Sequence, residues 1–219
     1  MTEPPDPLVA RVREPQADPE GLLVLLHGRG ADENDLFPLF DLLDPRRRLL
    51  GVTPRGPLSL PPGGAHWYAL GGIPTPDPGT FWSTFELVAA WLEDLRSSTG
   101  IEPARTVIGG FSQGCVISYA LTFARGRPSY AALVAFSGFL PEVDGLDLVL
   151  EGRTGFRVAM GHGVFDPVIP VDWSRRARAA LEAAGAEVFY RESPMSHAVD
   201  PGFVREVGSW LHRGVPDAP

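Results

Sequence analysis

The sequence predicts an α/β fold in which a mostly parallel central sheet carries helices on both faces. Several runs of strand length are apolar throughout, which is typical of strands buried on both faces. The segments between these runs place apolar residues at the spacing of one helix face. The two kinds of segment alternate along the chain, and such alternation favours a parallel sheet with crossover helices.

The apolar runs are predicted to form the strands of this sheet. Gly185 stands before the last of them, where it would end the preceding helix. In chain order, the predicted strands are residues 22–26, 49–52, the segment around 107–108, and residues 132–136, 158–160 and 188–190.

Three stretches between or after these runs are predicted to be helical. The last of them begins at Asp200, a favoured N-cap residue, with Pro201 at the first helical position. A second follows Ser112. The third has a long apolar face formed by Phe81, Phe85, Val88, Leu92 and Leu95.

One segment breaks the alternation and is predicted to be an irregular loop near the functional site. Residues 54–80 contain seven prolines and six glycines, with His66, Trp67 and Tyr68 in the middle. Long irregular loops in compact domains are often functional. Two interpretations of Trp67 stay open: the indole contacts a ligand, or it anchors the loop to the core.

Length and charge limit the classes of protein to be considered. The chain has 219 residues, which suits a single domain over residues 1–219, and residues 1–7 are expected to be flexible. The net charge is −8 and the one tight basic run, residues 46–48, is interpreted as a solvated loop, so no nucleic-acid partner is expected. No apolar run approaches the roughly 20 residues that span a bilayer, so no membrane insertion is expected. The N-terminus does not resemble a signal peptide and Cys115 is the single cysteine, which together predict a cytoplasmic protein.

All 19 basic residues are arginine, and the absence of lysine excludes several chemistries. A P-loop needs Gly-Lys, a pyridoxal enzyme needs a Schiff-base lysine, and the serine penicillin-binding fold needs Ser-x-x-Lys. Genome composition explains the bias itself, because Arg, Ala, Gly and Pro are all abundant.

Ser112 is the predicted nucleophile. It is the serine of a Gly-x-Ser-x-Gly pattern at residues 110–114, which is a weak signal alone. Here the pattern lies between a predicted strand and a predicted helix, the setting of a nucleophile elbow. The helix N-terminus would also favour a developing negative charge.

A serine hydroxyl needs a base, and the base needs an acid that orients it. In this fold the chain order is Ser, then Asp or Glu, then His. His197 is the predicted base, because it lies in a loop between the last strand and the last helix. Asp166 is the predicted acid, because it follows the strand at 158–160. For each residue taken alone, a structural role also stays open. That role is a turn or helix cap for Asp166 and a surface loop position for His197. His162 and His212 also follow Ser112, one at a strand end and one on the last helix.

The backbone N–H groups of Arg29 and Gln113 are predicted to form the oxyanion hole. Gln113 follows the nucleophile, and Arg29 lies between two glycines in the loop after the first strand. His27 is interpreted as a structural residue that fixes this loop. The mechanism requires no cofactor and no metal. The predicted partner is a small-molecule acyl ester.

Four motifs resemble those of the phospholipase/carboxylesterase family of α/β hydrolases, which includes the acyl-protein thioesterases. The resemblance covers the chain from about Leu8 to Leu211, and the motifs occur in the family's order. They are residues 26–31, 109–114, 161–170 with Asp166, and 196–197. The resemblance implies an α/β-hydrolase fold without a large cap domain, and metal-independent hydrolysis of acyl esters or thioesters.

The resemblance also implies particular site residues. It implies Ser112, Asp166 and His197 as a catalytic triad, with the Arg29 and Gln113 amides as the oxyanion hole. The segment 137–141, Ser-Gly-Phe-Leu-Pro, implies Phe139 and Leu140 as residues of the acyl pocket. The thioesterase branch typically reads His-Gly-Leu-Gly-Asp at the oxyanion loop, whereas this chain has Arg29 and Ala31, which favours the bacterial carboxylesterases.

Several alternatives remain open at this stage. One is a dienelactone-hydrolase-like enzyme with a cysteine nucleophile, although Cys115 is interpreted as a packing residue. Another is a lysophospholipase or acyl-protein thioesterase, and a third is a non-catalytic binding protein of the same fold. The sequence leaves the oligomeric state open, a homodimer included.

Overall fold

The computed structural model describes residues 8–212 of the chain. These residues contain nine strands: β1 (Ala10–Arg13), β2 (Gly21–Leu26), β3 (Leu49–Pro54), β4 (Leu58–Leu60), β5 (Gly64–His66), β6 (Thr106–Phe111), β7 (Ala132–Phe136), β8 (Arg157–Gly163) and β9 (Glu187–Ser193). Seven of them form one sheet in the order β1-β3-β2-β6-β7-β8-β9, while β4 and β5 form a separate hairpin.

The helices lie between or after these strands. They are α1 (Phe40–Leu43), α2 (Pro78–Thr99), α3 (Gln113–Phe123), α4 (Asp172–Ala183) and α5 (Pro201–Leu211). Short 3₁₀ helices, Phe37–Leu39 and Pro103–Arg105, precede α1 and β6. All neighbouring strands of the sheet are parallel except β1, which pairs antiparallel with β3. The predicted α/β fold with a mostly parallel sheet is therefore confirmed.

Helices cover both faces of the sheet, and β2 shows how one strand serves both. Leu22, Val24 and Leu26 point to the side that holds α2, α3 and α4. Leu23 and Leu25 point to the side that holds α1 and α5. Because side chains alternate along a strand, an apolar residue at every position is what a strand covered on both faces requires.

The predicted helix ends have clear physical causes. Asp77 caps α2 by accepting the N–H of Thr80 at 2.9 Å, so this helix starts three residues before Phe81, the first residue of its predicted apolar face. Gly100 ends it at φ +68°. Asp200 caps α5 by accepting the N–H of Gly202 at 2.8 Å, which confirms the predicted start at Pro201.

The prediction that residues 54–80 are irregular throughout is wrong in part. The β4–β5 hairpin lies inside this segment, and residues 78–80 belong to α2. Its proline and glycine content concealed strands of only three residues each. Strand β1 and helix α1 were not predicted, and residues 1–7, expected to be flexible, lie outside the described residues.

The topology brings several loops to one edge of the sheet. Strands β2, β6, β8 and β9 run parallel, so the loops that follow them all leave from the same edge. These loops contain Arg29, Ser112, Asp166 and His197. In open α/β sheets this edge is where ligands bind. Within residues 8–212, no helix is both long enough and apolar enough to cross a membrane.

Candidate active site

Ser112 occupies a strained turn between β6 and α3. Its φ of +54° and ψ of −121° are values that non-glycine residues seldom adopt. The turn is held because the Ser112 N–H donates to the Phe136 carbonyl at 2.9 Å and the Ser112 carbonyl accepts the Val116 N–H at 3.1 Å. The neighbouring strand and the first turn of the helix thus fix the hydroxyl at the edge of the sheet.

The glycines on either side of Ser112 are required by close backbone contacts. A Cβ at Gly114 would collide with the carbonyl oxygens of Leu26 and His27. A Cβ at Gly110 would lie 2.6 Å from the Leu26 carbonyl oxygen and 2.6 Å from the backbone of Gly114. The Gly-x-Ser-x-Gly pattern is therefore explained by the packing of the elbow against the end of β2.

His197 lies in the loop between β9 and α5 and joins the two other predicted residues. Its Nδ1 is 2.6 Å from Asp166 Oδ2, and its Nε2 is 2.9 Å from Ser112 Oγ. An ionised carboxylate only accepts hydrogen bonds, so Nδ1 carries the proton. Nε2 is then the acceptor for the Ser112 hydroxyl, which is the arrangement that lets an imidazole remove a serine proton.

Asp166 is held in place by its own loop. Its Oδ1 accepts the N–H groups of Val168 at 2.8 Å and Ile169 at 2.9 Å. The side chain is fully buried, which makes these hydrogen bonds necessary for an ionised carboxyl. The turn role considered for Asp166 is therefore compatible with its hydrogen bond to His197, because the two carboxyl oxygens serve different partners.

His162 is a second histidine beside the same carboxylate. Its Nε2 lies 3.2 Å from Asp166 Oδ2 and 2.8 Å from the Ile169 carbonyl oxygen. Both neighbours are acceptors, so Nε2 carries the proton. The opposite nitrogen, Nδ1, is buried and has no hydrogen-bond partner among the described residues. Burial lowers the pKa of His162, which keeps the ring neutral.

His27 fixes the loop that follows β2, as its structural interpretation requires. Its Nδ1 donates to the Gly28 carbonyl at 2.7 Å, and its Nε2 accepts the Gly56 N–H at 2.9 Å. Burial lowers the pKa of His27, so the ring is neutral and tied to both segments. The ring lies beside the indole of Trp67, with 5.0 Å between the ring centroids.

Of the two interpretations left open for Trp67, the structure agrees with the core anchor, and contact with substrate is wrong because the indole does not reach the cavity. Its side chain is fully buried, and its Nε1–H donates to the His27 carbonyl at 2.7 Å. It does not line the cavity next to Ser112. An indole N–H buried in a core needs such an acceptor, and that requirement fixes the middle of segment 54–80 against β2.

The side chain of Gln113 holds the next part of this segment. Its Oε1 accepts the Trp67 N–H at 3.1 Å, and its Nε2 donates to the Tyr68 carbonyl at 2.9 Å. Gln113 is thus linked to the site twice, through its backbone at the start of α3 and through its amide side chain. The sequence pattern predicts only the backbone role of Gln113.

A cavity of about 300 Å³ opens beside Ser112 and His197. Phe139 contributes to its wall, as predicted from the resemblance, whereas Leu140 does not and packs half-buried against the core. The other lining residues are Arg29, Tyr68, Leu70, Gly71, Gly72, Ile73, Gln113, Val168 and Ile169. The cavity therefore has mostly apolar walls and the Ser112–His197 pair at one end.

The two predicted oxyanion donors belong to this cavity. Arg29 and Gln113 both line it together with Ser112. Neither backbone N–H donates a hydrogen bond to another residue within 8–212. Two amides without protein acceptors beside a nucleophile can serve a carbonyl oxygen that becomes negatively charged.

Comparison with known proteins identifies the family. The sequence profile of the family described as Phospholipase/Carboxylesterase matches residues 8–213. The chain belongs to this family. Its seven-stranded sheet with helices on both faces is accordingly an α/β-hydrolase fold, as the resemblance implied.

The individual proteins that the chain resembles are distant in sequence. Esterase YpfH of Escherichia coli is 28% identical over 202 residues, covering 86% of this chain and 81% of that protein. Lysophospholipase-like protein 1 of mouse is 27% identical over 132 residues, covering 59% of this chain but only 55% of that protein. Among solved structures, the carboxylesterase of Bacillus cereus superposes with a TM-score of 0.81 at 20% identity, over 95% of each chain.

Two other predicted candidates, His212 and Cys115, do not line the cavity beside Ser112. His212 follows α5, and its Nε2 is 3.2 Å from the Leu43 carbonyl oxygen on the face opposite α3. Cys115 is fully buried, and burial raises the pKa of its thiol, so the reactive thiolate is disfavoured. The packing role expected for Cys115 therefore agrees with its position.

Sequence reasoning missed much of the cavity wall. Leu70 and Ile73 lie in the Pro/Gly-rich segment, and Val168 and Ile169 follow Asp166. The sequence did contain one signal, because Leu70, Ile73 and Val168 are large apolar residues in predicted loops. In the structure, 69%, 37% and 56% of their surfaces are exposed. Exposed apolar residues around a concave site point to a ligand.

Proposed function

We propose that this protein is a carboxylesterase that hydrolyses esters, or thioesters, of small to medium acyl groups through an acyl-enzyme on Ser112. The observation that carries the proposal is the unbroken chain of hydrogen bonds from Ser112 through His197 to Asp166, with lengths of 2.9 and 2.6 Å. Membership of the phospholipase/carboxylesterase family supports the reaction class. The ring of Phe111, with its centroid 4.7 Å from that of His197, packs against the base.

The first half of the reaction forms the acyl-enzyme. His197 Nε2 takes the hydroxyl proton while Ser112 Oγ bonds to the acyl carbon, and the carbonyl electron pair moves to oxygen. The resulting oxyanion accepts hydrogen bonds from the amides of Arg29 and Gln113. The bond to the leaving oxygen or sulfur then breaks, and His197 gives its proton to the leaving group.

The second half releases the acid. A water gives a proton to His197 Nε2 as its oxygen attacks the acyl carbon, and the bond to Ser112 Oγ breaks with return of that proton. Asp166 stays ionised throughout. It orients the imidazole and stabilises the imidazolium, and its second oxygen is kept occupied by the amides of Val168 and Ile169.

The size of the cavity favours small and medium acyl groups. Its volume of about 300 Å³ lies at the lower end of ligand cavities in proteins. The apolar walls, with Phe139, Ile169 and Ile73, suit an acyl chain. Long fatty acyl chains would extend past the rim at Leu70 and Val168.

Hydrolysis of p-nitrophenyl esters of increasing acyl length tests this proposal. We expect the highest kcat/KM for short to medium chains. Replacement of Ser112 by Ala is expected to lower kcat by about 10⁴-fold to 10⁶-fold, while the variant still folds. A Ser112→Ala variant that hydrolyses these esters at the wild-type rate would show that another group is the nucleophile.

Acyl-protein thioesterase or lysophospholipase activity is the alternative within the family. Matched oxyesters and thioesters of the same acyl groups distinguish these activities from a carboxylesterase. A preference for long-chain thioesters or lysophospholipids would favour the alternative. Failure of a fluorophosphonate probe to label the folded protein would instead favour a non-catalytic binding protein of this fold.

A further inference from the structure

Among the residues within 8–212 that line the cavity, Arg29 alone carries a permanent charge. Arg29 takes part in the proposed reaction only through its backbone N–H, yet it lines the same cavity as Ser112 and His197 and has an exposed side chain with a guanidinium. We propose that this guanidinium binds an anionic group of the substrate, a carboxylate or a phosphate. This inference rests on the proposed function. The preferred esters would then carry a negative charge in addition to the ester group.

The backbone that follows Arg29 is held by hydrogen bonds, which keeps its Cα at the cavity. The Gly30 N–H donates to the Ala65 carbonyl at 2.7 Å, and the Ala65 N–H donates to the Ala31 carbonyl at 2.7 Å. Gly30 has a φ of +85°, a value that glycine adopts without strain. The exposed side chain of Arg29 therefore extends from a loop whose backbone is held in place.

The Arg29 guanidinium is not used by the protein itself. It makes no hydrogen bond or ion pair with any residue within 8–212, and the side chain is exposed. The other arginine near this loop behaves differently, because Arg55 lies 3.1 Å from Glu33 and 3.6 Å from Asp32. The acidic residues closest to Arg29 in the sequence are thus paired with Arg55, and Arg29 is left for a ligand.

The surroundings of Arg29 strengthen an interaction with an anion. Among residues 8–212, no carboxylate lines the cavity, so no neighbouring acid competes with an anionic ligand for the guanidinium. The chain carries a formal net charge of −8, so the long-range field repels an anionic substrate and a local cation is needed to hold it. Arginine also suits both candidate anions, because its planar fork matches carboxylate and phosphate oxygens.

Pairs of esters that differ only in charge test this inference. In the first arm, the monoester of glutaric acid with p-nitrophenol, which has a free carboxylate at the far end of the acyl group, is compared with its methyl ester. In the second arm, p-nitrophenyl butyrate carrying a carboxylate on its ring is compared with plain p-nitrophenyl butyrate. The first arm detects an anion on the acyl side, and the second detects one on the leaving-group side.

The measured quantity is the ratio of kcat/KM for the anionic ester to that for its neutral partner. In at least one arm, Arg29→Gln is expected to lower this ratio about fivefold, which is the upper range for an ion pair that water still reaches. Arg29→Lys is expected to restore much of it. Any disturbance of the oxyanion hole affects both esters and cancels in the ratio. Arg125→Gln changes the net charge equally but removes an exposed ion pair with Asp147, so its ratio is expected to equal that of the wild type.

The outcomes separate this inference from the proposed function. Unchanged ratios in both arms for Arg29→Gln, with neutral esters still hydrolysed, would overturn the role of the guanidinium and leave the esterase intact. An equal fall in the ratio for Arg125→Gln would also overturn it, because the effect would then come from net charge. Absence of hydrolysis of every ester by the wild type would instead contradict the proposed function.

Discussion

His162 lies against the carboxylate that His197 binds: its Nε2 is 3.2 Å from Asp166 Oδ2, while Nδ1 of His197 is 2.6 Å from the same oxygen. The neutral state of His162 matters, because a second cation at this point would compete with the His197 imidazolium for the negative charge of Asp166. Burial of His162, with its Nδ1 lacking an acceptor among the described residues, disfavours that cation.

Replacement of His162 by Leu is expected to lower kcat/KM for p-nitrophenyl butyrate by about 10-fold to 100-fold. The variant removes the N–H that donates to the Ile169 carbonyl and lies 3.2 Å from Asp166, and small displacements of a catalytic group carry costs of this size. His162→Gln keeps an N–H donor and is expected to retain more activity than His162→Leu. Equal activity of the Leu variant and the wild type, with the same unfolding midpoint, would show that His162 does not position Asp166.

Replacement of Gln113 by Ala is expected to raise KM more than it lowers kcat. The variant keeps the backbone N–H but leaves the Trp67 N–H and the Tyr68 carbonyl without their partners. Each buried unpaired group costs about 1–3 kcal/mol, so the free energy of unfolding should also fall. Steady-state kinetics and urea unfolding check both effects. A change in kcat alone would contradict the role of this side chain in holding the cavity wall.

Replacement of Gly114 by Ala is expected to destabilise the protein by about 1–3 kcal/mol and to lower activity. The added methyl group would collide with the carbonyl oxygens of Leu26 and His27. Gly63→Ala is the matched control, because a Cβ at Gly63 meets nothing within 4 Å. Similar unfolding midpoints for the two variants would contradict the packing account of the elbow.

Stability is expected to fall as the pH drops below about 6.5, the ordinary pKa of histidine, because two buried histidines resist protonation. Burial lowers the pKa of His27 and of His162 in the folded protein. At pH values between about 6.5 and the lower pKa of the histidine in the folded protein, the unfolded chain binds more protons than the folded chain. Each histidine therefore destabilises the fold as the pH falls. The slope is at most about 1.4 kcal/mol per pH unit for each histidine. Urea unfolding between pH 7 and pH 5 should give a smaller slope for His162→Gln, and an unchanged slope would contradict this assignment.

The sequence was sufficient to predict six of the seven strands of the main sheet, all except β1, and the loops that hold Ser112, Asp166 and His197. Continuous apolar runs identify strands buried on both faces, and parallel strands bring the loops after them to one edge. A predicted Ser, Asp and His in three such loops were therefore expected to meet, and the structure places them within hydrogen-bonding distance.

The remaining parts of the site depend on contacts between segments far apart in the chain. Trp67 belongs to the core because its indole finds the His27 carbonyl, 40 residues earlier. The amide of Gln113 reaches the backbone of Trp67 across 46 residues. Neither partnership leaves a pattern in the local sequence, and the β4–β5 hairpin is too short for periodicity to reveal it.

The central claim is that Ser112 is the nucleophile activated by His197 and Asp166. Mass spectrometry of the peptide that contains Ser112, after reaction of the folded protein with a fluorophosphonate, tests it most directly. We expect one label per chain, on Ser112, with loss of ester hydrolysis in proportion to labelling and no label in the Ser112→Ala variant. Labelling of a different residue, with hydrolysis retained by Ser112→Ala, would contradict the account.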